Sequence, residues 1–168
     1  MQNNMLKRHW RIIIPIIITA VIFCFSAQST DASDSFSAPI ANFFGLPHAV
    51  IRKTTHFVLF GLLGASWYYY LRKLSSFTPG FTSLGSLSFV LLYAVLDEYH
   101  QTLIPSRSGE LGNILLDTTA GLAGITLIAL VYYLTRSKKE KIARRKQVDK
   151  IWSDNDKLTK SLKKPHKK

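Results

Sequence analysis

The sequence predicts an all-α integral membrane bundle of four transmembrane helices with a basic cytoplasmic tail. Three observations predict it. Residues 1–135 hold four apolar runs, at 12–25, 57–71, 81–96 and 111–134. Positive charge gathers at one set of run ends, and residues 136–168 carry fourteen Lys/Arg against four Asp/Glu. That tail supplies +10 of the +12 net charge, so the basic balance describes the tail and not the apolar part. The organisation expected is one transmembrane domain over 1–135 and a tail over 136–168.

A helix needs roughly 20 residues to cross about 30 Å of hydrocarbon. The fourth run meets this alone, and the other three meet it through their flanks. His9 and Trp10 extend the first at its start, and 26–28 at its end. The second starts near Thr54 and finishes in Trp67-Tyr68-Tyr69-Tyr70, an interfacial aromatic belt ahead of Arg72 and Lys73. The third continues through Asp97 to Leu103 before Pro105 ends it. Segment 27–50 is Ser- and Asp-rich and then apolar, too interrupted to span, and is expected at the interface or folded back on the helices.

Orientation follows from Lys/Arg bias. Lys7, Arg8 and Arg11 flank the first run, Arg72 and Lys73 follow the second, and the tail follows the fourth. Both termini are therefore expected in the cytoplasm, with 27–55 and 97–110 outside. Residues 1–28 also carry the pattern of a signal peptide, with small Ser26 and Ala27 near a cut site, and cleavage would leave three spans. The tail reads as an anchor for anionic cytoplasmic lipid. It lacks the aromatic platforms of a nucleic-acid surface, so no nucleic-acid partner is expected. The single cysteine, Cys24, rules out an intramolecular disulfide framework.

Polar residues at the outer run ends are the functional signal, because ionisable groups at membrane depth are expensive. Helical spacing of three or four puts Asp97 on one face with His100 and Gln101, Lys53 with His56, and Asn113 with Asp117. Ser26 and Gln28 close the first run, Glu98 adjoins Asp97, and Arg107 lies on the last linker. Four helices thus point polar groups to one outer level. Asp117 lies six residues into its run, roughly 9 Å below Leu111. It is expected to pair with Arg107, Lys53 or His56, or to be protonated. The competing reading is a packing network that locks the helices. Gly61 with Ala65, and Ala120 with Gly124, have the small-xxx-small spacing of close helix contacts, and Gly121 adds to the second pair.

His56, Asp97, Glu98 and His100 are acceptable metal-ligand types, but no two-histidine i, i+4 motif or cysteine pair accompanies them. The expectation is neither metal nor cofactor. Ser26 and Ser106 sit in no nucleophile elbow, and His48 and His166 are unaccompanied. A binding role is favoured over catalysis. The alternative is an enzyme acting on a lipid headgroup or cell-wall intermediate, with Asp97 or Glu98 as base and His56 or His100 as partner. No inverted repeat supports a transporter.

Three sequence elements resemble the VanZ-like membrane proteins. Ser26-Ala27-Gln28 resembles their Ser-x-Gln element. Lys53-Thr54-Thr55-His56-Phe57 resembles Lys-x-x-His-Phe. Asp97-Glu98-Tyr99-His100-Gln101 with Pro105-Ser106-Arg107 resembles Asp-Glu-x-His-Gln…Pro-Gly-Arg. The order and spacing match over roughly residues 10–135. Ser106 replaces the usual Gly, and Asn113 and Asp117 reverse the usual Asp-then-Asn order. Ala120 stands where a Gly is usual. The resemblance implies a bacterial, multi-pass cell-envelope protein of a family associated with teicoplanin resistance, and it implies no reaction. The expected partners are membrane lipids and a lipid-linked wall precursor or lipoglycopeptide; nothing in the sequence specifies an oligomeric state.

Overall fold

The computed structural model describes residues 9–74, 77–105, 107 and 109–162. Lys7, Arg8, Ser106 and His166 lie outside the described residues. The described chain is helical, with no strand among the described residues. A 3₁₀ turn at Trp10–Ile12 leads into α1, Ile13–Ser26. Then come α2, Thr30–Phe44; α3, His48–Leu74; α4, Pro79–Thr102; and α5, Leu111–Leu162. Among the described residues there are thus five α-helices, against four apolar runs in the sequence.

Local chemistry sets most boundaries. Ser29 caps α2 by accepting from the Ala32 amide, and Thr78 caps α4 by accepting from Phe81, with Pro79 at the first helical position. Gly45 ends α2 with φ 64°, a left-handed conformation that costs glycine nothing. A Ser- and Asp-rich first half and Pro39 inside the second half mask this helix in the sequence. Its Ser33, Ser37 and Ala41 face inward at four-residue spacing, while Phe36, Ile40, Phe43 and Phe44 are exposed. Polar residues inside and apolar residues outside are the inverse of a water-soluble amphipathic helix.

The chain forms two compact units, Met1–Ala129 and Leu130–Lys168. In the first, α3 is the hub. It packs against α1, α2 and α4, and α1 also touches α4. Buried Ile22, Phe60, Leu63, Val90, Ala94 and Ala120 form its core. The Tyr93 hydroxyl ties α4 to α1 by donating to the Thr19 carbonyl at 2.9 Å, and Trp67 stacks on Phe89 with centroids 4.1 Å apart. Glycines let the backbones of α3 and α5 approach closely. A Cβ built on Gly64 would lie 2.3 Å from the Gly121 oxygen, and one on Gly124 would lie 1.9 Å from the Gly61 oxygen. The contact therefore uses a Gly61/Gly64 pair against Gly121/Gly124. Ala120 is buried beside it, and Ala65 is only half-buried.

The exterior of this unit is apolar. Ile16, Ile17, Leu62, Leu84, Leu92, Leu96, Leu115 and Leu122 are all exposed, whereas Ser26, Ser86, Asp97, Gln101 and Asp117 are buried. Exposed apolar area on this scale marks contact with lipid or protein. Helix α4 and the apolar part of α5 are each long and apolar enough to cross a membrane. The second unit is helical to Leu162, with an exposed Arg136–Glu140 ion pair at 2.8 Å. Ile142, Val148, Ile151 and Trp152 are exposed between its basic residues.

Candidate functional site

The polar cluster stands on helix ends that the core holds in place. Asp97 and Glu98 lie one turn before the end of α4, Ser26 is the last residue of α1, and His56 lies two turns into α3. Asn113 and Asp117 occupy the first two turns of α5.

Asp97 is the centre, only 3% exposed. Its Oδ2 accepts from the Ser26 hydroxyl and from the Gln101 amide, each at 2.9 Å. Arg107 Nη1 donates to Gln101 Oε1 at 3.1 Å, which orients that amide so that its nitrogen faces Asp97. Three sequence-predicted residues are thus chained to the carboxylate from three segments. Its Oδ1 is buried and has no hydrogen-bond partner among the described residues.

Glu98 turns to the other side of α4 and fastens the linker. Its Oε1 accepts from the Glu110 amide at 2.5 Å and from Asn113 Nδ2 at 3.2 Å. Two donors on one carboxylate oxygen define where α5 starts. Hydrogen bonds to a charged group contribute roughly 1.5–3 kcal/mol each, so this latch is a structural role. Asn113 therefore serves Glu98, although spacing aligned it with Asp117.

Asp117 meets His56, with Oδ2 and Nδ1 3.5 Å apart. It is 2% exposed, and its Oδ1 is without a hydrogen-bond partner among the described residues. One ligand atom from each of His56, Asp97 and Asp117 lies within 4.8 Å of the other two. His56 was one of three partners that depth alone allowed.

His100 and Gln28 are not drawn in. The His100 ring stacks on Phe23, centroids 4.6 Å apart, on the face toward α1. Gln28 is half-buried after α1 and makes no side-chain bond to the cluster among the described residues. Alignment at i+3 placed His100 on the Asp97 face, but i+4 is the position that bonds it.

A cavity of about 330 Å³ lies beside the His56–Asp117 pair. Arg52, Lys53 and Arg107 line it with Gln101, Glu110 and Asn113, and His56 and Asp117 are also among its lining residues. Burial lowers the proton affinity of Arg107, and Arg52 adds to this, while Asp97, Glu98 and Asp34 oppose it. Arg52 also pairs with Asp34 of α2, a contact the sequence did not signal because no spacing links the two residues. Ser37 Oγ lies 3.0 Å from His48 Nδ1, so α2 is pinned to the start of α3 at two points. Through Asp34, α2 reaches Arg52, one of the residues that line the cavity.

A family model described as VanZ/LLP1 matches residues 11–132. The chain belongs to the VanZ/LLP1 family. The VanZ/LLP1 match contains every cluster residue from Ser26 to Asp117 and leaves out the tail from Tyr133 on. No curated protein and no solved structure matches the chain significantly. The family and the two apolar helices together indicate association with a membrane.

Proposed function

We propose that this VanZ/LLP1 protein is a multi-pass envelope protein that binds the anionic headgroup of an envelope lipid, lipid-linked wall precursor or lipoglycopeptide. In this reading α1, α3, α4 and the apolar part of α5 are the four spans, and α2 lies at the outer interface. Both termini are cytoplasmic, and the domain ends near 135. The observation that carries the reading is the cavity rim. Arg52, Lys53 and Arg107 bring three cations to one opening above a polar floor. A cavity of this size suits a phosphate-bearing headgroup, with the acyl or prenyl chains left against the exposed apolar faces. The Arg107 guanidinium supplies a planar fork for phosphate or carboxylate oxygens.

Glycopeptide resistance is the physiological outcome that family membership suggests. Occupying a lipid-linked precursor, or the lipoglycopeptide itself, at the outer leaflet would keep the two apart. Native mass spectrometry of protein released from nanodiscs tests the binding. Anionic lipid should remain on the wild type and be lost from an Arg52→Ala, Arg107→Ala double variant. Equal retention by both would remove the headgroup reading. Expression in a susceptible strain tests the outcome, and an unchanged teicoplanin response with confirmed membrane expression would remove it.

A second reading rests on the His56–Asp117 contact at the cavity. A buried carboxylate that orients an imidazole is a general-base arrangement. An enzyme of this kind would act on a lipid headgroup or wall intermediate. Lipid profiles of wild-type, Asp97→Asn and deletion strains that cannot be told apart would sink it.

A further inference from the structure

We infer that His56, Asp97 and Asp117 hold a divalent cation of the zinc or manganese type at the floor of the cavity. Three observations carry this. The first is donor geometry. One ligand atom from each residue lies within 4.8 Å of the others, and they come from three different helices. Bonds of about 2.0–2.2 Å to a common ion put tetrahedral donors roughly 3.4 Å apart. The 3.5 Å between His56 Nδ1 and Asp117 Oδ2 fits that edge. It is long for a charge-assisted hydrogen bond, which runs about 2.7–2.9 Å.

The second is the pair of carboxylate oxygens with nothing to accept. Asp97 Oδ1 and Asp117 Oδ1 are buried and have no hydrogen-bond partner among the described residues. Both residues are at least 97% buried, at 3% and 2% exposed. Leaving a buried polar atom unsatisfied is costly, and more so when the group is charged. Each of these two carboxylates also has an oxygen within 4.8 Å of a His56 ring nitrogen, so one ion would serve both. A 2+ charge also neutralises two buried carboxylates, of which Asp117 lies six residues into an apolar run.

The third is the support behind the ligands. Ser26 and Gln101 both donate to Asp97 Oδ2, which leaves Oδ1 as the free face. Arg107 in turn holds Gln101. Outer partners of this kind fix ligand orientation in metal sites. One imidazole with two carboxylate oxygens selects zinc or manganese over calcium and magnesium, which take oxygen ligands. Three protein ligands leave a position facing the cavity, where an anionic oxygen could bind. That last step rests on the headgroup reading; the cation site does not.

The test is metal content and metal-dependent melting of full-length protein in nanodiscs, with no envelope lipid added. Wild type should carry about one zinc or manganese per chain. EDTA should lower its melting midpoint, and added Zn²⁺ or Mn²⁺ should restore it. His56→Gln and the Asp97→Asn, Asp117→Asn double variant should hold less than about a tenth of the wild-type metal. They should melt at the same point with or without EDTA. His100→Gln, whose ring stacks on Phe23 away from the cavity, should retain the ion. Wild-type protein with no metal above an empty-nanodisc control, and no response to EDTA or Zn²⁺, would overturn the inference, as would a metal content unchanged in the variants. The EDTA arm uses wild type alone, so a variant that fails to fold does not remove the test. Anionic lipid retained by metal-free protein would leave the headgroup reading standing without the ion. Metal bound with no lipid retained would do the reverse.

Discussion

Alanine at Gly124 should loosen both the bundle and the cavity above it. The added Cβ would lie 1.9 Å from the Gly61 carbonyl oxygen and 2.7 Å from its carbon. An ordinary carbon–oxygen contact needs about 3.2 Å or more, and the obstacle is backbone, so no side-chain rotation relieves it. The helices must separate by roughly an ångström. Overpacking of this kind costs about 1–3 kcal/mol. Gly112 is the internal control, because a Cβ there meets nothing within 4 Å. Alanine at Gly112 should be neutral or stabilising by up to ~1 kcal/mol through helix propensity. For a chain of this size each kcal/mol moves the midpoint by roughly 2–4 °C, so Gly124→Ala should melt roughly 2–12 °C below wild type. Thermal unfolding in detergent, followed by circular dichroism, reads the difference. Indistinguishable midpoints for Gly124→Ala and Gly112→Ala would refute the glycine contact between α3 and α5. Because α3 carries His56 and α5 carries Asp117, the same variant should also weaken whatever binds between them.

Other predictions concern the polar groups and the tail. Ser26→Ala removes a hydrogen bond to a buried carboxylate and should cost about 1.5–3 kcal/mol by the same unfolding assay; a loss under about 0.5 kcal/mol would contradict the Asp97 network. Arg107→Lys keeps the charge but loses the planar fork, and should cut retention of anionic headgroups several-fold in native mass spectrometry; full retention would assign the rim a purely coulombic role. A fluorophore at Ser153 should shift to the blue with anionic nanodiscs and not with neutral ones, and the shift should fade with salt; a response independent of lipid charge would rule out the tail as an electrostatic anchor.

How much of this was legible in the sequence depends on range. The extension of the third run through Asp97 follows from local apolar and capping patterns, and α4 ends at Thr102, one residue before the expected Leu103. The pairing of Gln101 with Asp97 followed from i+4 spacing for the same local reason. The small residues of the α3–α5 contact, Gly61, Ala120, Gly121 and Gly124, were legible by their spacing, but the pairing of Gly64 with Gly121 needed three dimensions. What was not legible is long-range. Glu98 latching the 110–113 segment, His100 turning to Phe23, and Asp34 meeting Arg52 each join residues with no periodic relation. Helix α2 escaped notice because it buries Ser33 and Ser37 and exposes Phe36, Ile40, Phe43 and Phe44, which inverts the pattern usually read. The unsatisfied oxygens of Asp97 and Asp117 are a property of assembled geometry, so the cation site they suggest ran against the sequence-based expectation of no metal.

The central claim is that the polar cavity opens on the outer side of the membrane. Cysteine accessibility tests it most directly, in a Cys24→Ser background because the native thiol is exposed. Phe77→Cys lies just before α4, and Glu110→Cys lies on the linker that Glu98 holds near the other end of this helix of 24 residues or about 36 Å. In intact cells, a membrane-impermeant thiol reagent should label Glu110→Cys and leave Phe77→Cys unlabelled until the cells are opened. Labelling of Phe77→Cys in intact cells, with Glu110→Cys protected, would contradict the account and turn the cavity toward the cytoplasm.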